Sequence, residues 1–180
     1  MTTAPFAAAG ASAERRRSLS PAVCGGMTLI EVAVILAIVG ILAMLAIPGL
    51  GERIAREQVV AALPLAEIAK PPIAAAWLTT QTLPVDNAAA GLPPATKIIS
   101  NYVSSVVVEN GAIHITFATT NVNGAIAGKV LTLRPAVVAD TPIVPITWVC
   151  GNGTWPAAMT IKGENRTNIG ASFLPVNCRN

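Results

Sequence analysis

Charge is scarce in this sequence: Asp, Glu, Lys and Arg make up 12% of its 180 residues, against 53% hydrophobic. Aromatic residues are at 4%, and there is one histidine. A soluble surface ordinarily needs about a quarter of its residues charged. The mean hydropathy of +0.61 therefore points to lipid, or to burial against other chains. After residue 26 there are nine Lys/Arg and eight Asp/Glu. That balance leaves no basic run to track phosphates, so no nucleic-acid site is evident. G-x-S-x-G, H-E-x-x-H, P-loop, C-x-x-C and Rossmann patterns are all missing, which argues against an enzyme. The carboxylates do not cluster as a metal site, and no cofactor is implied. His114 alternates with Ile113 and Ile115, so it is expected to point away from the apolar face into solvent.

The scarcity of charge is sharpest from Val32 to Ile47, where Gly40 is the one residue that is not clearly apolar. Met27 to Pro48 would make a helix of about 33 Å, enough to cross a bilayer core. Residues 1–26 are rich in Ala, Ser and Arg and read as a targeting segment ending in Gly25-Gly26. No A-x-A site follows the apolar run, so cleavage at Gly26 would leave that run on the mature chain. Arg15, Arg16 and Arg17 precede the span. The positive-inside rule puts the N-terminus in the cytoplasm and the C-terminal domain outside.

Glu31 is a carboxylate near the start of the apolar segment. A charge there either snorkels to the interface or marks function. If Met27 becomes the first residue, its new α-amine lies four residues before Glu31. That amine is a cationic partner within the chain, or from a neighbouring chain, where it would set the register of a polymer. Embedded in lipid, Glu31 could not serve a soluble substrate as a general acid. Pro48, Gly49 and Gly51 then end the span and should kink or loosen the helix.

The cysteines are Cys24, Cys150 and Cys178. In a domain outside the cytoplasm, Cys150 and Cys178 read as a disulfide; the alternative is two free thiols. Ala55, Val59, Leu63, Ala66, Ile73 and Trp77 mark an amphipathic helix that would pack on a sheet. Pro64, Pro71 and Pro72 should bend it, or break it near residue 70. Residues 79–97 read as a loop. Strands are expected over 102–109, 112–117, 129–134 and 143–150, with Asn110-Gly111 as a hairpin turn. Residues 151–180 show little periodicity. Asn152-Gly153-Thr154 and Asn165-Arg166-Thr167 match a glycosylation pattern of low specificity. Trp148 is expected to pack in the sheet, whereas Trp155 could pack or stand exposed.

Gly26-Met27-Thr28-Leu29-Ile30-Glu31-Val32 and the apolar run after it resemble the prepilin signal of type IV pilins and type II secretion pseudopilins. Residues 102–106, 128–133, 146–150 and 173–179 are similar to type IVa pilins, so the likeness covers nearly everything after Gly26. It implies an α+β fold: a long N-terminal helix on a four-stranded antiparallel sheet, with a disulfide-closed C-terminal loop. Residues 1–26 would be a removed leader, 27–50 the transmembrane and polymerisation helix, and 51–180 the head. The segment between helix and sheet would be a surface loop.

The resemblance also implies a peptidase that cuts after Gly26 and methylates Met27, with Glu31 as the assembly glutamate. Met27 stands where phenylalanine is commoner, and the 26-residue leader is long for the type IVa class. The implied partners are further copies of the chain, the prepilin peptidase, an inner-membrane assembly machinery and the bilayer itself. The implied function is a pilus subunit for adhesion, twitching motility or DNA uptake. The alternatives are an export pseudopilin, which usually uses calcium in the C-terminal region, and a single-pass membrane protein without processing. The low aromatic content does not support a conductive fibre.

Overall fold

A computed structural model describes residues 26–46 and 48–179. The expected leader, with Cys24 and the arginine triplet, lies outside them except for Gly26. Helix α1 runs over Leu29–Ala46 and α2 over Pro48–Glu67. Pro48 and Gly49, where a kink is expected, are both helical, as is Gly51, and Ile47 lies outside the described residues. Every residue from 26 to 44 is exposed.

The head domain is built on α2. Its buried side chains are Ala55, Val59, Ala62 and Ala66. Three of the four are alanines, which let the helix axis lie close to the sheet. Leu63, expected on this face, only packs against its border, and Ala62 takes the central place. Pro64 does not stop the helix, and the Val60 carbonyl it leaves unpaired belongs to an exposed residue. The break comes at Ile68-Ala69, as the paired prolines require. Helix α3, Lys70–Thr80, then starts with proline in its first turn, where a missing N–H costs nothing. It buries Ile73 and Trp77.

The sheet order is β1 (Val103–Glu109), β2 (Ala112–Phe117), β3 (Val130–Val137) and β4 (Thr147–Cys150), all antiparallel. The β1–β2 turn has positive φ at Asn110 (48°) and Gly111 (81°), the primed-turn geometry that Asn-Gly favours. One core layer is Val108, Ile113 and Leu133 in register; the next is Val106, Ile115 and Leu131. Strand β3 continues three residues past Arg134, through Pro135, whose carbonyl accepts the Lys162 N–H. Strand β4 starts at Thr147, after the strand-breaking Pro145. A two-residue strand β5, Thr160–Ile161, pairs with β3 inside the segment that showed no periodicity.

Cys150 and Cys178 form a disulfide across a separation of 28 residues. Closing such a loop stabilises the fold by about 3–4 kcal/mol in the chain-entropy account. It also holds Ile169 and Leu174 in the core.

Two further expectations fail. His114 is 3% exposed, not solvated. Its side chain does leave the main core, but the other face of the sheet is covered by the segment after β5. The loop 79–97 is also not wholly surface: Asn87 and Ala90 are buried, and Leu83 and Leu92 pack against the core.

Candidate functional site

The chain around Glu31 starts with a helix cap. Thr28 precedes α1, and its Oγ1 accepts the Glu31 N–H at 3.3 Å. Its carbonyl accepts the Val32 N–H at 3.2 Å. Thr28-x-x-Glu31 has the spacing of a capping box, with Met27 and Val32 at the staple positions. Glu31 thus sits in the first turn, where the exposed amides and the helix dipole favour a negative charge. Among the described residues it has no cationic partner, and the Met27 α-amine does not exist while Gly26 precedes it. Helix α1 after Glu31 carries no charge, and the most apolar 18-residue window within Leu29–Glu67 has a mean hydropathy of 2.9. A helix apolar on every side is stable in lipid or in a bundle of its own kind, not in water. Its 18 residues reach about 27 Å.

The rest of the head carries polar structure rather than a reaction centre. Among the described residues no group of three His, Cys, Asp or Glu could hold a metal. Arg56 Nη2 donates to the Ser172 carbonyl at 2.6 Å, tying α2 to the disulfide loop. Asn123 joins the β2–β3 loop to α2: its N–H donates to Gln58 Oε1 at 2.8 Å and its Nδ2 to the Gly51 carbonyl at 3.1 Å. Trp148 borders the core, with Lys70 over its ring at 5.7 Å. Trp155 stands exposed, with Arg134 over its ring at 6.0 Å.

Residues 55–179 match the family of pilins, the proteins of bacterial filaments. The chain belongs to the pilin family. It is 37% identical over 162 residues to a fimbrial protein of Neisseria meningitidis serogroup A, covering 86% of this chain and 93% of that protein. To the type IV major pilin protein PilE of Neisseria gonorrhoeae it is 36% identical over 162 residues, with the same coverage. The fimbrial protein EcpC of Eikenella corrodens is 33% identical over 159 residues, covering 86% of this chain and 90% of that one. A type IV pilin structure from Pseudomonas aeruginosa aligns at a TM-score of 0.42 and 23% identity, over 70% of this chain and 98% of that one.

The resemblance read from the residues is borne out by the family match and the relatives, and the α+β fold it implied, with helix, antiparallel sheet and Cys150–Cys178 disulfide, is the one observed. Pilins are structural subunits of extracellular filaments, not enzymes. Membership explains why an exposed apolar helix and a compact head share one chain. Sequence reasoning singled out Gly26, Met27, Glu31, Pro48, Gly49, Cys150 and Cys178. The structure brings the two cysteines together and puts Glu31 beside the Thr28 cap. Sequence reasoning missed Asn87, Asn123 and the contact of Arg166 with Glu109. Each of these joins residues far apart in the chain, and no local spacing signals them.

Proposed function

We propose that this pilin is made as a membrane precursor and becomes a subunit of a type IV pilus after cleavage between Gly26 and Met27. The observation that carries the reading is the uniformly apolar α1, exposed along its described length, with one carboxylate in its first turn. The precursor lies in the inner membrane with its N-terminus in the cytoplasm and its head outside. A prepilin peptidase removes residues 1–26 and methylates the Met27 amine, and the assembly machinery moves the subunit into the filament.

In the filament, α1 helices bundle and Glu31 pairs with the Met27 amine, either its own or that of a neighbouring copy. A subunit out of register would bury the carboxylate unpaired, at a cost of several kcal/mol, about 3–5. The helix can loosen at Pro48 and Gly49 on entering the fibre. The sheet and the Cys150–Cys178 loop form its outer surface. That disulfide at the C-terminal loop supports a pilus subunit over an export pseudopilin. The filament serves adhesion, twitching motility or DNA uptake.

Mass spectrometry of the protein from its host tests the reading. The expected mature chain begins at Met27 and is one methyl group heavier than its sequence. Deleting the gene should remove or deplete surface filaments. A chain that kept residues 1–26 and never entered a fibre would overturn the proposal.

A further inference from the structure

The face of the sheet opposite α2 holds a polar arrangement that the assembly reading does not use. Arg166 spans it. Its N–H donates to Thr132 Oγ1 on β3 at 3.1 Å. Its guanidinium forks onto Glu109 on β1, with Nη1 2.6 Å from Oε2 and Nη2 2.7 Å from Oε1. In the sheet order, His114 on β2 lies between these anchors. Its Nδ1 is 3.0 Å from Thr132 Oγ1, and its Nε2 is 4.0 Å from Glu109 Oε2.

Counting hydrogens assigns the tautomer. A threonine hydroxyl has one hydrogen and two lone pairs. The Arg166 N–H takes one lone pair of Thr132. The hydroxyl hydrogen then has one acceptor in reach among the described residues, His114 Nδ1. The neutral ring therefore carries its proton on Nε2, which is buried without a hydrogen-bond partner. Adding a second proton reverses the bond to Thr132, because Nδ1–H must now donate. It also creates a buried cation 4.0 Å from a carboxylate already held by Arg166. The two cations then share the carboxylates of Glu109 and Glu164, the latter 3.4 Å from Arg166 Nε, and the Thr132 hydroxyl hydrogen loses its acceptor.

We propose that His114, Glu109 and Arg166 form a proton-operated latch that holds the segment Gly163–Thr167 on the sheet when His114 is neutral and releases it when His114 is charged. The charged groups facing His114 are Glu109 from β1, and Glu164 and Arg166 from the segment after β5. Strand β3 faces it with Thr132. Arg134, on the same face of β3, is turned to the Gly151 carbonyl and to Trp155. Burial lowers the His114 pKa most, and Arg166 adds to this; Glu109 and Glu164 oppose it. The latch is thus shut at neutral pH and opens on acidification. Release stays local, because the Asn168 N–H remains bonded to the Val130 carbonyl and the Cys150–Cys178 bond closes the loop. The strip that loosens contains Asn165 and Arg166, on the half of the head built by the disulfide loop.

The test uses the full-length protein in detergent micelles. His114 is the single histidine, so nitrogen-15 histidine NMR gives its tautomer and titration without ambiguity. Hydrogen exchange of the peptide covering residues 163–167, corrected for intrinsic rates, is followed over the same pH range. The expected result is an Nε2–H ring at neutral pH and segment protection that falls about tenfold or more along the His114 titration curve. In His114→Gln that pH dependence should vanish. An Nδ1–H tautomer, or protection that ignores the His114 charge, overturns the latch. If His114→Gln does not fold, Glu109→Gln decides. It should loosen the segment at neutral pH as well, and unchanged protection there also overturns the proposal.

Discussion

Asn87 closes the outer edge of the sheet by accepting the Val108 N–H on its Oδ1 at 2.6 Å. The same carboxamide donates through Nδ2 to the Val106 carbonyl at 3.0 Å and to the Pro93 carbonyl at 3.1 Å. One buried side chain thus satisfies two of the open backbone groups of β1, as a neighbouring strand would. An unsatisfied edge invites pairing with another chain. For a subunit that assembles into a filament, that would compete with ordered assembly.

Replacing Asn87 by alanine should cost about 2–3 kcal/mol, because buried backbone partners are left unpaired. Denaturant unfolding of the head measures it. Asn87→Asp should fall between the two, since it keeps the acceptor for Val108 but loses the donor to Val106. No change in either variant would show that the edge is closed by something else.

Gly163 lies over Ala112 with φ of +78°, and a Cβ there would come 2.6 Å from the Ala112 Cβ. Gly163→Ala should destabilise by about 1–3 kcal/mol through strain and overpacking. Adding Ala112→Gly should recover the part due to the clash, leaving the part due to φ. A double-mutant cycle with simple additivity would mean that the two do not touch.

Glu31→Gln and Glu31→Ala should sharply reduce filament number while the head keeps its fold and its disulfide. Electron microscopy counts the fibres, and circular dichroism with a thiol assay checks the head. Wild-type numbers of fibres from both variants would remove Glu31 from the account of register.

The head should lose stability as pH falls below about 6.5, the ordinary histidine value. The His114 pKa is lowered in the fold by burial and by Arg166. The unfolded chain therefore binds the proton first. Stability is fully present above the unfolded value and is lost as pH falls through the folded one. The slope of unfolding free energy against pH should flatten in His114→Gln. An equal slope in both proteins would show that His114 is not its source.

Much of the molecule is legible along the chain. The run after Glu31 admits only a helix in an apolar surrounding, because no polar side chain interrupts it. Asn110-Gly111 marks its hairpin through the positive φ that both residues tolerate. The alternation of Ile113, Ile115 and Phe117 picks the core face correctly. The same alternation misleads at His114. It tells which side of the sheet a residue takes, but not that Arg166, more than fifty residues later, covers that side. Strand β5 is missed because two residues carry no period, and the loop around Asn87 because its composition resembles a surface turn.

Local pattern thus marked the helices, the four longer strands and the apolar character of the N-terminal helix, since each depends on neighbours a few residues apart. The closing of the β1 edge by Asn87 and the covering of His114 by Arg166 came only with folding, whereas the pairing of Cys150 with Cys178 is already expected from the sequence. The first two join groups whose partners stand 19 to 57 residues away in the chain. Such partners are selected by the burial of whole surfaces and by the need to satisfy every enclosed polar group, and no short stretch of sequence carries that requirement.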